Sequence, residues 1–347
     1  MQEMILDTDF LARIAPYIEP LTDEERSIYI AEGEESVKIR AEEGMPPGDY
    51  LQLVENIGLY LGKTTGEGFE SHYQKISLPG SKTLLVIQLP GGGNLNVFLT
   101  PVGKMILDTG YGCYYKDCER MLKTIGAGDF SDVGFVVCTH GDADHCGASG
   151  YFPVAPVMHP VTRALLDSGT RGYASPNGRE ILEKFYTTTI NTYSRMYVPD
   201  EVRLCKTEPI RKHGLFSIID EFTFAGMRFE VWASLGGHIA GQIFLYEPDE
   251  GLLFTSDALL NFATLTKERA NYSSIADSMI GSVNVNSETA RIERRELMRI
   301  AKEMDDDLKK SGRRLLICCG HGAVSILDEK GMLSPYSEPW YYSAKSC

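Results

Sequence analysis

Four side chains that can bind divalent metal ions lie within one short segment, T-H-G-D-A-D-H-C-G at residues 139–147. The segment directly follows the apolar, strand-like run Phe135–Cys138. A loop that leaves a strand can turn several side chains towards one point, and imidazole and carboxylate groups suit Zn²⁺, Fe²⁺ and Mn²⁺. The chain has only 7 histidines, so two in this loop favour a metal site over an incidental surface turn. The candidate ligands are His140, Asp142, Asp144 and His145.

Three further ligand-type residues follow other apolar runs. His238 ends the motif L-G-G-H, Asp257 ends L-F-T-S-D, and His321 lies in C-C-G-H-G. A glycine precedes both histidines and keeps the backbone clear of the side chain. Loops at one edge of a sheet assemble sites in this way, so we expect these residues to join the segment 139–147.

Together these motifs resemble the metallo-β-lactamase superfamily of metallohydrolases, over about residues 80–325. The family signature T-H-x-H-x-D-H-x-G corresponds to T-H-G-D-A-D-H-C-G here, and I-L-D-T-G at 106–110 corresponds to the turn that ends the opening strand motif. G-A-S-G-Y-F-P-V-A-P-V-M at 147–158 and V-N-V-N-S at 283–287 are also similar to the family. The resemblance implies an α+β fold, a four-layer αβ/βα sandwich.

The resemblance also implies two metal sites. Site one would comprise His140, Asp142 and His238, site two would comprise Asp144, His145 and His321, and Asp257 would bridge them. The expected cofactors are two divalent metal ions, zinc in first place, with iron or manganese as alternatives. Asp144 and Asp257 are the predicted catalytic residues, because they would orient a metal-activated water and take up its proton. Asp108 would orient the signature loop.

Asp142 departs from the family, which usually has histidine at this position. Aspartate is shorter, so the first metal would lie closer to the loop or bind weakly. Its charge removes one positive unit from the centre, which favours a harder ion such as iron or manganese, or an empty site one. A glutamate occupies this position in the flavodiiron branch of the superfamily.

The chain divides into a predicted α-helical N-terminal extension, 1–75, and a metallo-β-lactamase-like domain, 76–347, with a helical insert at about 165–215. We expect the insert to shape the substrate pocket. Predicted strands cover about 83–89, 95–100, 104–107, 135–139, 217–224, 227–232, 243–246, 252–255 and 315–318, and predicted helices cover about 22–43, 49–61, 114–125, 161–167, 179–193 and 288–311.

The net charge of −14 argues against nucleic-acid and anionic-membrane partners, because both need clustered Lys and Arg. Acids stand near the N-terminus where a signal peptide would have basic residues, and no long apolar run follows, so we expect a cytoplasmic protein. The 8 cysteines do not form a disulfide framework. A homodimer through the helical extension is a further expectation.

Three functions are compatible with these residues. The leading hypothesis is a metal-dependent hydrolase of a small-molecule ester, lactone, thioester or phosphoester. The second is a diiron protein that binds oxygen or nitric oxide, related to flavodiiron proteins but lacking flavodoxin, and is motivated by Asp142. The third is a non-catalytic, ligand-binding member, motivated by the altered signature.

Overall fold

The computed structural model describes residues 6–175 and 178–346. Outside the described residues lie 1–5, 176–177 and 347. Parts of the predicted extension, insert and C-terminal region fall on these positions. The helices are α1 Thr8–Ile18, α2 Asp23–Glu42, α3 Pro47–Lys63, α4 Tyr115–Thr124, α5 Ala143–Cys146, α6 Pro160–Ser168, α7 Glu180–Tyr193, α8 Lys267–Ser273, α9 Ile275–Ile280 and α10 Ser287–Lys309.

Two mixed sheets form the centre of the fold. The strands are β1 Glu70–Leu78, β2 Lys82–Gln88, β3 Asn94–Thr100, β4 Gly103–Leu107, β5 Val133–Val137, β6 Val157–Met158, β7 Arg203–Leu204, β8 Arg211–His213, β9 Phe216–Phe224, β10 Met227–Ala233, β11 Ile243–Glu247, β12 Leu252–Leu260, β13 Leu316–His321, β14 Ser325–Leu327, β15 Leu333–Pro335 and β16 Trp340–Ser343. The first sheet has the order β16-β1-β2-β3-β4-β5-β6-β7, and the second has the order β15-β14-β13-β12-β11-β10-β9-β8.

The sheets pack against each other and carry helices on their outer faces, so the predicted four-layer αβ/βα arrangement is confirmed. Strand β2 is apolar over most of its length because both of its faces are covered. Leu84 and Val86 face the core between the sheets, whereas Leu85 and Ile87 face the helical layer. Alternate residues of a strand point to opposite faces, so a strand covered on both sides needs apolar residues at every position.

Helix α10 covers the second sheet. Leu297, Ala301, Met304 and Leu308 recur at three- and four-residue spacing and pack in one cluster with Trp232 of β10. This spacing places the apolar residues on one face of the helix. The sequence prediction for this helix is confirmed to within two residues at each end.

The N-terminal helices pack on the first sheet and on α7. Thr22 and Glu25 form a reciprocal capping box at the start of α2. At Gly33 helix α2 approaches α7 closely, because a Cβ atom there would lie 2.9 Å from the Phe185 ring of α7. The Phe185 ring also lies 4.9 Å from that of Tyr29, between ring centroids. These contacts join the extension to the insert.

Several strands were not predicted. Strand β1 lies across the predicted boundary at residue 75. Only part of each of its faces is buried, so its polar residues obscure the apolar pattern by which strands are predicted. It pairs with β2 and with β16, which contains the C-terminal aromatic run. Trp340 and Tyr341 are exposed there and Tyr342 is buried. Whether residues 1–75 form a domain of their own stays a prediction. Among the described residues, every helix is too short or too polar to cross a membrane.

Replacing Phe185 by alanine tests the junction between the extension and the insert. Phe185 is fully buried, so we expect a loss of about 3–5 kcal/mol in the free energy of unfolding. Urea unfolding of the purified variants measures this change. Ile28→Ala on the exposed face of α2 is the control and should change stability by less than about 0.5 kcal/mol. Equal effects of the two substitutions would contradict the packing described.

Candidate metal centre

The candidate ligands meet at one edge of both sheets. Strands β4 and β5 are parallel, and Asp108 and the signature loop follow their carboxyl ends. Strands β12 and β13 are also parallel, and β10 runs in the same direction as β12 because both are antiparallel to β11. The loop after β10 carries His238, and His321 is the last residue of β13. The directions of these strands therefore bring the candidate ligands to one edge, as predicted from the sequence.

Asp108 fixes the signature loop. It adopts a left-handed conformation with φ of 57°. Its Oδ1 accepts a hydrogen bond of 2.7 Å from the Thr139 backbone N–H, and its Oδ2 accepts one of 2.8 Å from the Thr139 hydroxyl. Nδ1 of His145 lies 2.8 Å from the same Oδ2. This contact turns Nε2 of His145 towards the centre, which is the orienting role predicted for Asp108.

The first group of ligands contains His140, Asp142 and His238. Oδ2 of Asp142 lies 3.1 Å from Nε2 of His238 and 3.5 Å from Nε2 of His140. Both histidines are buried. The three ligand atoms lie within 4.8 Å of one another, close enough to bind one ion. The structure thus brings together the residues predicted for site one.

The second group contains Asp144, His145 and His321. Oδ2 of Asp144 lies 3.4 Å from Nε2 of His321 and 3.7 Å from Nε2 of His145. These three ligand atoms also lie within 4.8 Å of one another. The structure thus also brings together the residues predicted for site two.

Asp257 lies between the two groups. Its Oδ2 is 3.6 Å from Nε2 of His238 and 3.3 Å from Nε2 of His321, while its Oδ1 is 3.1 Å from Nε2 of His145. One carboxylate therefore contacts histidines of both groups, as a bridging ligand must.

The position of Asp257 differs from the sequence prediction. Strand β12 continues to Leu260 instead of ending before Asp257, and its register with β13 shifts around Ser256, which has φ of 47°. This local irregularity turns the carboxylate towards the centre. Gly320 on β13 makes room for it, because a Cβ atom there would lie 1.9 Å from Oδ1 of Asp257.

The donor atoms at the centre suit bound metal ions. Nε2 of His140, Nε2 of His145 and Oδ1 of Asp257 are buried and form no hydrogen bond with any described residue. Buried polar atoms normally have a partner, and unpaired nitrogen and carboxylate donors that face one another are what a divalent cation requires. The residues present therefore fit two metal ions.

The electrostatics of the centre also favour positive charge. Burial by itself lowers the pKa of His321, but Asp257 and Asp144 outweigh this effect and raise it to about 9. Burial by itself raises the pKa of Asp142, but Arg171 and the neighbouring histidines hold it well below its ordinary value. The lowered pKa keeps Asp142 in its ionised form, which favours a nearby cation.

Three residues that hold the ligands were not predicted as site residues. The Ser256 hydroxyl lies 2.9 Å from Nδ1 of His140, and Oδ1 of Asn284 lies 3.3 Å from Nδ1 of His238. Arg171 donates two hydrogen bonds to Asp142. The V-N-V-N motif is the only sequence signal for Asn284, and nothing in the sequence distinguishes Arg171 from other arginines.

Cys146 and the three histidines that are not candidate ligands have structural contacts. Cys146 is buried behind the loop, where its thiol donates to the Asp142 carbonyl oxygen at 3.4 Å and burial raises its pKa. Outside the centre, His72 contacts Arg269, Nδ1 of His159 accepts a hydrogen bond from the Val161 N–H, and His213 stacks on Trp232.

The family model "metallo-beta-lactamase superfamily" matches residues 89–321, which is more than half of the chain. The chain belongs to the metallo-β-lactamase superfamily. This match spans all seven candidate ligands and confirms the resemblance seen in the motifs. No curated protein sequence matches the chain.

Solved metallo-β-lactamase structures are similar to this one at low identity. A HARLDQ-motif mutant of a metallo-β-lactamase from Cronobacter sakazakii is 11% identical, with 72% of this chain and 80% of that chain covered and a TM-score of 0.42. A metallo-β-lactamase family protein from Thermus thermophilus is 21% identical, with 73% of each chain covered and a TM-score of 0.40. A flavo di-iron protein mutant from Thermotoga maritima is 14% identical, with 73% of this chain and 57% of that chain covered and a TM-score of 0.38.

A dinuclear metal site is typical of this superfamily, and the chain has the ligand groups for one. The assignment of each of the seven residues to site one, to site two or to the bridge stays a prediction from the signature. The contacts described above supply its geometric basis.

Replacing Asp108 by asparagine tests how the ligands are held. We expect metal affinity to fall by about 10- to 100-fold, because the His145 ring loses its carboxylate partner. Competition between the protein and a chromophoric zinc chelator measures the affinity. Asp129→Asn is the matched control, since Asp129 accepts hydrogen bonds from the backbone N–H and hydroxyl of Ser131 at the surface. Wild-type affinity in Asp108→Asn would show that the contact does not position the ligand.

Proposed function

We propose that this protein is a metal-dependent hydrolase that cleaves an ester, lactone, thioester or phosphoester bond in a small molecule. The observation that carries the proposal is the pair of ligand groups joined by Asp257 at the base of a pocket. Membership of the metallo-β-lactamase superfamily supports a metal-dependent hydrolase in general. The bond type and the small size of the substrate are our own inference.

The pocket above the centre has a volume of about 200 Å³, which suits a small molecule. Asp142, Asp144, Asp257 and His321 line its base. The N-terminal extension, the insert and the segment 272–284 supply most of its other walls, through Ile57, Tyr186, Ile190, Tyr272, Ile275 and Val283. Tyr111, which follows β4, also lines the pocket. The insert therefore contributes to the pocket, which supports the expectation that it affects specificity.

Metal ions bound at these sites would supply Lewis acidity that activates water and polarises the bond to be cleaved. Asp144 and Asp257 both line the pocket, and the pKa of each lies below its ordinary value. Burial by itself raises both values, but His145 and His321 reverse the effect. These ionised carboxylates can accept hydrogen bonds from water, orient it towards the substrate and take up its proton.

Arg294 indicates an anionic group on the substrate. Its side chain lines the same pocket, and its guanidinium has one hydrogen bond, from Nε to the Ala258 carbonyl oxygen at 3.4 Å, among the contacts of the described residues. Arginine binds carboxylate and phosphate groups through paired donors. We therefore favour a substrate with a phosphate or carboxylate near the scissile bond.

Replacing Asp144 by asparagine tests the hydrolytic mechanism. With a panel of phosphoesters, carboxylic esters, lactones and thioesters, the zinc- or manganese-loaded wild type should turn over at least one class, and kcat of the variant should fall by about 10²- to 10⁴-fold. Asp306→Asn on the surface of α10 is the control and should retain activity. Turnover of no class by the metal-loaded wild type would contradict the proposal, as would full activity of Asp144→Asn.

Replacing Arg294 by alanine tests the anionic group. We expect kcat/KM for the anionic substrate to fall by about 10- to 100-fold, chiefly through a higher KM, because a charged hydrogen bond is lost. Arg295→Ala, the neighbouring arginine that does not line the pocket, is the matched control. An equal fall for a neutral analogue would show that Arg294 does not recognise charge.

The carboxylate of Asp142 favours one alternative, a diiron protein that binds oxygen or nitric oxide. A metal site that contains a carboxylate oxygen suits iron better than a site whose ligands are all histidines. Iron-loaded protein exposed to oxygen would then develop a new visible absorption band, whereas the hydrolase proposal predicts no such band. A non-catalytic, ligand-binding member would be indicated by an inactive wild type that gains turnover on Asp142→His.

A further inference from the structure

A buried arginine holds the unusual ligand Asp142. Arg171 lies in the turn between α6 and α7, and 2% of its surface is exposed. Its Nε donates to Oδ1 of Asp142 at 2.6 Å, and its Nη2 donates to Oδ2 at 3.1 Å. Two parallel hydrogen bonds of this kind fix the plane of the carboxylate as well as its position.

Arg171 is itself anchored on its other sides. Its Nη1 donates to Oε2 of Glu183 at 3.1 Å, and its Nη2 also donates to the Val283 carbonyl oxygen at 2.7 Å. The Thr187 hydroxyl accepts from the Arg171 backbone N–H at 3.1 Å. Helix α7 and the segment before α10 therefore hold the guanidinium, so it cannot turn away from Asp142 without breaking these contacts.

The arginine leaves one carboxylate oxygen facing the centre. Oδ1 of Asp142 receives the shorter hydrogen bond from Arg171, while Oδ2 lies near Nε2 of His238 and Nε2 of His140. A histidine at this position would likewise present a single donor atom. Although aspartate is shorter than histidine, Asp142 thus presents one oriented oxygen atom to the other ligands of site one.

Arg171 also changes the charge of the centre. A carboxylate in place of a neutral imidazole removes one positive unit, and an uncompensated charge in a buried place is costly. The guanidinium places one positive charge in direct contact with Asp142. Glu183 pairs with the same guanidinium through Nη1, so the two carboxylates share this charge.

We propose that Asp142 and Arg171 act as one unit that takes the place of the superfamily's histidine at site one. Arg171 is the positioning residue of this unit, because its two hydrogen bonds orient the carboxylate. The inference concerns metal binding, so it does not depend on whether the reaction is hydrolysis.

A cobalt titration of metal-depleted protein tests the unit. Visible absorption follows Co²⁺ binding, and the binding event that Asp142→Ala abolishes marks site one. In Arg171→Gln we expect affinity at site one to fall by about 10- to 100-fold, with site two weakened far less, because its ligands do not contact Arg171. Arg163→Gln is the matched control, since Arg163 forms a bidentate pair with Asp167 at the surface.

The double variant Asp142→His/Arg171→Gln separates this role from a purely structural one. It should recover site-one affinity relative to Arg171→Gln, because a neutral imidazole needs no arginine. Asp142→His alone should not recover wild-type affinity, because Nε of Arg171 then loses its acceptor and the guanidinium lies beside the new ligand. A merely structural arginine would leave the double variant as weak as Arg171→Gln, and that result would overturn the proposal.

Two further outcomes would contradict the proposal that Asp142 and Arg171 act as one unit. Wild-type or tighter site-one binding in Arg171→Gln would show that the arginine withdraws Asp142 from the metal. If Arg171→Gln does not fold, Arg171→Lys makes the same test, since lysine keeps the charge but lacks the two-pronged geometry. Weakened site-one binding in Arg171→Lys supports the orienting role, and wild-type binding contradicts it.

Discussion

The structure depends on the convergence of three carboxylates, the buried Asp257 and the largely buried Asp142 and Asp144, on four histidines at one edge of two sheets. Ionised carboxylates in a buried place are unfavourable unless cations or hydrogen-bond donors face them. The surrounding features meet this requirement. Asp108 orients a histidine, Arg171 pairs with Asp142, and unpaired donor atoms face the positions that metal ions would take.

The scaffold separates positioning from specificity. Parallel strand pairs in each sheet bring the ligands to a common edge, and small local departures from regular strand geometry, at Asp108 and Ser256, aim the side chains. The walls of the pocket come largely from helices outside the motifs, including α3 and α7. Because α7 also anchors Arg171, the element that shapes the pocket is coupled to the ligand that departs from the superfamily signature.

The family resemblance implied the fold, and short motifs marked the seven candidate ligands. Four of these ligands lie in the contiguous signature, and the other three each follow an apolar run. Strand β1 was missed because its polar positions obscure its period. Arg171 was missed because its partner lies 29 positions away, and nothing local marks it among 34 Lys and Arg residues. Asp142 marked a departure from the superfamily signature, but only the three-dimensional fold showed that Arg171 holds it.

The most direct test is the metal content per chain, measured by mass spectrometry on protein purified without oxygen and without added metal. The wild type and Asp257→Ala should be compared side by side. The account predicts close to two metal ions per wild-type chain and a clear loss in the variant, since Asp257 contacts both ligand groups. A wild type that holds no metal and takes up none when supplied with zinc, manganese or iron would contradict it.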